Sequence, residues 1–296
     1  MNKPQTTKGI LFALGAYLIW GLAPIYFKEI KHVPPDEIVS HRVIWSVFFM
    51  VLMLTVTRHW RHVLAVIKQP KTLLLLGITA VTIASNWLTY IWAVNNNHLL
   101  EASLGYFINP LVSVLFAMMF LGERFRRMQW IAVGLAFTGV FIQLWQFGSV
   151  PMIGLFLATT FAVYGLIRKK LGIDAQTGML IETIWVFPAA LIYLLFFTHT
   201  PTSNMLNNPA SLNLLLIAAG IITTVPLLFF TAAAGHLRLS TLGFFQYLSP
   251  TIMFLLATLV YGEEIGSERL ITFGFIWAAL VLFTLDALYT QRRLRK

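Results

Sequence analysis

Ten apolar runs, each about as long as a bilayer is thick, leave this chain few ways to fold. A helix rises 1.5 Å per residue, so crossing a hydrocarbon core of about 30 Å takes about 20 apolar residues. Runs that fit cover residues 9–30, 37–57, 72–95, 101–122, 127–147, 151–168, 176–198, 212–235, 239–262 and 269–290. Charged residues make up only 11% of the chain, against about 25% in soluble domains. The mean hydropathy of +0.78 holds over the whole length, so the bilayer is the solvent for most of the fold. The expected fold is an all-α membrane protein of ten transmembrane helices. Its first run carries Trp20 and Pro24 and lacks a small-residue cleavage site, so it reads as a retained span rather than a signal peptide. The longest link, Thr198 to Ser211, is too short for a soluble domain.

Lys and Arg residues orient these spans, because cytoplasmic links are enriched in them. With the N-terminus inside, the inner segments hold Lys3 and Lys8; Arg58, Arg61, Lys68 and Lys71; Arg124, Arg126 and Arg127; Arg168, Lys169 and Lys170; Arg238; and Arg292, Arg293, Arg295 and Lys296. The outer segments hold only Lys28, Lys31 and Arg269, and Arg42 falls inside a span. A single missed span would invert every later link and destroy this separation. Both termini are therefore expected in the cytoplasm. The net charge of +10 is a record of topology, and no nucleic-acid partner is called for. Without cysteine there is no disulfide, thiolate chemistry or Cys-ligated metal.

The two halves of the chain repeat one another. His98–Phe107 aligns with His236–Phe245 at an offset that shifts by two residues further on, after which Pro110, Gly122, Glu123 and Gly134 meet Pro250, Gly262, Glu263 and Gly274. Trp45 meets Trp185 in the same register. Repeats of five spans each, over residues 8–147 and 150–290, must enter the membrane from opposite sides. Inverted repeats of this type build many secondary transporters, with the substrate site near the midplane where the repeats meet.

The stretches Asp36–Ser46, Glu101–Pro110 and Leu239–Tyr247 resemble the RarD permeases, within the EamA-type members of the drug/metabolite transporter superfamily. The similarity runs over nearly the whole chain. It implies a ten-helix permease of a bacterial-type inner membrane, with two EamA repeats around a central cavity lined mainly by spans 1, 3, 4, 6, 8 and 9. The family takes its name from chloramphenicol sensitivity, which suggests drug or metabolite export without fixing a substrate.

Candidate cavity residues follow from polar and aromatic side chains at helical spacing in those spans. They are Tyr17 and Trp20 in span 1, Asn86 and Tyr90 in span 3, and Tyr106, Asn109 and Pro110 in span 4. Tyr164 stands in span 6, Thr224 in span 8, and Gln246, Tyr247 and Pro250 in span 9. Pro110 and Pro250 each deny a hydrogen bond to the carbonyl four residues earlier, and backbone so exposed belongs against protein or a water-filled cavity. The bland alternative for Thr and Ser is interhelical hydrogen bonding, worth about 0.6 kcal/mol per contact.

Arg42 and Glu182 are the intramembrane charges, and such groups are functional candidates by default. They occupy equivalent positions of inverted repeats, hence opposite sides of the membrane, and are not expected to pair. Arg42 is expected to reach outward toward Glu37. For Glu182, protonation with a part in proton coupling and simple binding to backbone donors both stay open.

The function expected is secondary transport of a small organic molecule, by alternating access around a midplane cavity, in a monomer or weak homodimer. A cavity rich in aromatic and amide groups suits neutral, zwitterionic or aromatic compounds. An intramembrane enzyme would need an Asp pair or a His-Glu-x-x-His helix, and the spans contain neither. A non-transporting scaffold is the remaining alternative. No catalytic residue, metal or cofactor is called for, and no phosphate-binding Gly-Lys-Ser/Thr loop is present to use ATP. Reporter fusions after Arg61, Arg127, Lys170 and Lys296 are expected to read cytoplasmic, and fusions after Asn97 and Asn204 periplasmic. One reversal among the six breaks the ten-span topology.

Overall fold

The structure, a computed structural model, describes residues 3–96, 98–262 and 267–293; Asn97, Glu263, Arg295 and Lys296 lie outside the described residues. It is all helical. Spans 1 and 2 are α1 (Lys3–Glu29) and α2 (Pro35–Thr57), and a short α3 (Trp60–Ile67) fills the next link. Spans 3 to 8 are α4 (Pro70–Asn95), α5 (Leu99–Leu121), α6 (Arg127–Phe147), α7 (Met152–Leu171), α8 (Ala175–Phe196) and α9 (Ala210–His236). Span 9 is broken into α10 (Leu239–Phe245) and α11 (Leu248–Leu255) and ends in a π-helical turn, Leu256–Val260. Span 10 is α12 (Ser267–Arg293). Among the described residues, ten segments are long and apolar enough to cross a membrane.

Local chemistry sets the helix ends. Pro35 and Pro70 open α2 and α4, where a missing N–H costs nothing. The Asp174 carboxylate accepts from the Thr177 amide at 2.9 Å and starts α8. The C-terminus of α9 is held from outside, the Lys169 ammonium donating to the carbonyls of Ala234 (2.9 Å) and Leu237. Helix α3 is a finding the sequence reading did not contain. It buries Val63 and Val66 and leaves Trp60, Leu64 and Ile67 exposed. Two turns are too short for periodicity to separate from a loop.

Each helix packs chiefly on helices of the other half. The main pairs are α5 with α7, α6 with α12, α1 with α9 and α11, α2 with α8 and α9, α4 with α7 and α8, and α5 with α10. Spans 4 and 6 approach closely because they meet at glycines. A Cβ on Gly154 would stand 2.8 Å from the Glu101 carbonyl, and one on Gly105 would stand 3.0 Å from that of Gly154. Large apolar side chains such as Leu11, Val56, Phe137, Trp145 and Leu259 face outward, as lipid contact requires.

The break in span 9 sits at Gln246 and Tyr247, whose amides bond three residues back, to Gly243 (3.1 Å) and Phe244 (3.2 Å). Pro250 then lies in the first turn of α11. Pro110, its sequence counterpart, lies within the unbroken α5. The consequence is spatial: α10 follows α5, whereas α11 turns away to pack on α1.

Candidate functional site

Spans 4 and 9 cross where Tyr247 donates to the Phe107 carbonyl (3.2 Å) and Ser113 reaches the Gln246 side chain (3.5 Å). On one side of this crossing, the Glu123 carboxylate accepts from the amides of Leu239 (2.8 Å) and Ser240 (3.2 Å) and from the Ser240 hydroxyl, with Arg238 at 3.5 Å. These bonds fasten the end of α5 to the start of α10. On the other side of the crossing a recess lies between spans 3, 4 and 6.

Four predicted residues meet in that recess: Asn86, Tyr90, Tyr106 and Asn109. Tyr106 is 42% exposed in the middle of a membrane protein, so its ring faces the opening rather than a packed neighbour. Tyr90 meets it edge-on at 6.1 Å. The Asn86 amide is held by the Leu157 carbonyl and the Thr160 hydroxyl, each at 2.8 Å, which fixes its orientation. Phe161 forms the floor, packed on Trp20 (5.9 Å) and Phe230 (5.0 Å).

The other predicted residues lie beneath. Tyr17 is buried, with its hydroxyl 3.4 Å from the Leu242 carbonyl. Thr224 donates to Ser46 at 2.7 Å and is a helix-to-helix contact. Tyr164, Gln246, Pro110 and Pro250 are buried, and Tyr247 packs in a cluster with Val114, Ala136 and Phe283.

Both intramembrane charges have surroundings the sequence did not reveal. Glu182 accepts from Thr79 (2.6 Å) and Tyr164 (3.1 Å), and Arg168 Nε lies 3.6 Å from it. The expectation of backbone donors is corrected: hydroxyls and a guanidinium hold this carboxylate. Arg168 had been read only as a topological charge. Its position four residues after Tyr164, on the same helical face, was the available signal. Arg42 does not reach toward Glu37, which instead takes the hydroxyls of Thr200 and Thr202 (3.0 Å). Arg42 Nε donates inward to Thr223 at 2.7 Å, and its guanidinium lies 4.9 Å from the Trp87 ring and 5.9 Å from that of Phe27. Trp87, Phe27 and Phe161 escaped notice because an aromatic in an apolar run looks like any other core or lipid contact. Asp286 pairs with Arg126 at 3.3 Å.

Comparisons with known proteins decide the family. The EamA-like transporter family profile matches residues 7–145. Protein RarD of Escherichia coli is 61% identical over the full length of both chains. This chain is an EamA-like transporter of the RarD group. An uncharacterized transporter of Vibrio cholerae is 54% identical over 100% of this chain and 98% of its own. The chloramphenicol-sensitive protein RarD of Pseudomonas aeruginosa is 31% identical over 98% and 96%. A solved crystal structure, 19% identical, superposes with a TM-score of 0.73 over 98% of this chain and 99% of the other, and shares its fold. The RarD-group chain is thus a multi-pass permease of the bacterial inner membrane, a secondary transporter and not an enzyme.

Removing one partner of a buried ion pair costs about 3–5 kcal/mol, whereas apolar replacement of both can be neutral. In this permease Arg168→Gln is therefore expected to lower the apparent melting temperature in detergent sharply, and Arg168→Met with Glu182→Leu to restore most of it. A single variant as stable as the parent would show that the pair does not hold the fold.

Proposed function

We propose that the permease exports a small organic molecule by alternating access, its two inverted repeats rocking about a site between Asn86, Tyr90, Tyr106 and Asn109. The observation that carries this reading is the recess itself: polar and aromatic side chains at membrane depth, on the far side of the span 4–span 9 crossing from the Glu123 fastening. With the termini in the cytoplasm, the recess lies toward the periplasm.

Support for two repeats, residues 8–147 and 150–290, comes from how the spans pair. Exchanging the halves converts the pairing of spans 4 and 6 into that of 9 and 1, spans 1 and 8 into 6 and 3, and spans 2 and 8 into 7 and 3. Spans 5 and 10, 2 and 7, and 4 and 9 exchange into themselves. Every main packing pair obeys this rule. Arg42 and Glu182 obey it too, each bonding a threonine across the halves, Thr223 in span 8 and Thr79 in span 3. Gly122 and Gly262, equivalent in sequence, share a left-handed backbone at φ 62° and 65°, a conformation glycine adopts without penalty.

In this scheme the break at Gln246–Tyr247 is the hinge of span 9, and Tyr247 and Ser113 hold the crossing about which the halves tilt. Both repeats come from one polypeptide, so one chain suffices for a complete site. We assign Glu182 to cohesion between the halves rather than to proton coupling, because both its oxygens are engaged and Arg168 matches its charge.

The test is binding measured beside liposome transport. Tyr106→Ala and Asn86→Ala are expected to weaken ligand binding by roughly tenfold, the worth of one or two lost contacts. Pro250→Ala is expected to bind normally and transport slowly, because its new N–H can bond the Gln246 carbonyl and stiffen the break. Normal binding in the first two variants would remove the site from this recess.

A further inference from the structure

The carboxylates that the described bundle buries have found partners. Glu182 has Arg168, Asp286 has Arg126, Glu123 has Arg238 and Ser240, and Glu37 has two threonines. Arg42 is different. It lies seven residues into α2, about 10 Å below the end of that helix, and no described carboxylate stands within ion-pair distance of it. A guanidinium has five N–H donors and keeps its charge in any protein environment. Only one of the five is used here, by Nε to Thr223. The group is held by that bond and by the faces of Trp87 and Phe27, a brace that fixes its plane without neutralising it.

The helix that braces Arg42 also forms a wall of the transport recess: Trp87, 4.9 Å from the guanidinium, directly follows Asn86 of that wall. A cation held by aromatic faces and braced from a wall of tyrosine and asparagine matches a ligand with an anionic head and a flat apolar body. Charged groups at membrane depth are expensive unless paired. An arriving carboxylate supplies the missing charge, and Arg presents donors in a fork that matches both carboxylate oxygens.

Resting on the recess being the transport site, we propose that Arg42 is its anion-recognising residue and that the substrates are organic compounds with a single carboxylate on a planar apolar body. A lipid phosphate reaching in from the outer leaflet would satisfy the same chemistry, so the test must separate the two sources.

Purified protein in uncharged detergent, free of added lipid, is screened by thermal shift against aromatic carboxylates and their amides, among them benzoate with benzamide and cinnamate with cinnamide. Tighter hits are then titrated. Carboxylates are expected to stabilise the parent and their amides not to. Arg42→Gln is expected to weaken carboxylate binding at least roughly tenfold, the worth of a charge-assisted bond. Arg42→Lys, which keeps the charge and loses the fork, is expected to fall between. Equal binding of acids and amides, carboxylate binding that survives Arg42→Gln, or no stabilisation of the parent by any carboxylate overturns the proposal. So does stabilisation by phosphatidylglycerol micelles alone, abolished by Arg42→Gln, which would assign the residue to lipid. Tyr106→Ala separates this inference from the reading beneath it. Ligands lost in Tyr106→Ala but indifferent to Arg42 leave the recess as the site and remove the anion role. Carboxylates lost in Arg42→Gln but indifferent to Tyr106 place an anion site outside the recess and remove the reading on which the proposal rests.

Discussion

A charge or amide at membrane depth has no water to turn to, and this one constraint sorts the polar residues of the bundle. Those that meet a partner from another helix become fasteners. Glu182 gathers Thr79 from span 3 and Tyr164 and Arg168 from span 6, and Thr224 finds Ser46. Tyr106 lines the recess instead, and Arg42 keeps donors that no described carboxylate takes. The same bookkeeping explains why the helices of one half pack on those of the other. Fasteners that cross the halves make a single body of two five-helix units that would otherwise share only apolar surface.

The halves are alike in pairing and unlike in detail. Span 4 runs unbroken through Pro110, whereas span 9 breaks before Pro250 and ends in a π-helical turn. Such turns and breaks concentrate at functional sites, because they leave backbone groups that only protein or water can satisfy. Here the break lets α10 stay with span 4 while α11 packs on span 1. Glu123 fastens the start of α10 to the end of span 4 by occupying its first amides.

Much of the fold was legible in the sequence, because the length and apolarity of a span are strong signals. The ten spans coincide with the apolar runs to within a few residues at each end. Helix α3 was missed because eight residues give too little periodicity. The recess was legible in part. Asn86, Tyr90, Tyr106 and Asn109 stand at helical spacing, and a polar residue in an apolar run is conspicuous. The partners of the charges were not legible. Arg168 lay hidden in a cluster that also marks the cytoplasmic side, and Trp87 among eight other tryptophans. Nothing in one sequence tells which face of span 2 carries Arg42 toward Thr223, since that depends on how span 8 packs.

The central claim is that the recess at Tyr106 lies toward the periplasm while Glu123 fastens the other side of the crossing. The chain has no cysteine, so single thiols can be read without background. Tyr106→Cys and Ser240→Cys, each in right-side-out and inverted membrane vesicles, are exposed to a membrane-impermeant maleimide. The account predicts that Tyr106→Cys labels in right-side-out vesicles and that Ser240→Cys, buried behind Glu123, labels slowly from either side. Rapid labelling of Ser240→Cys in inverted vesicles, with Tyr106→Cys protected in right-side-out ones, would contradict it.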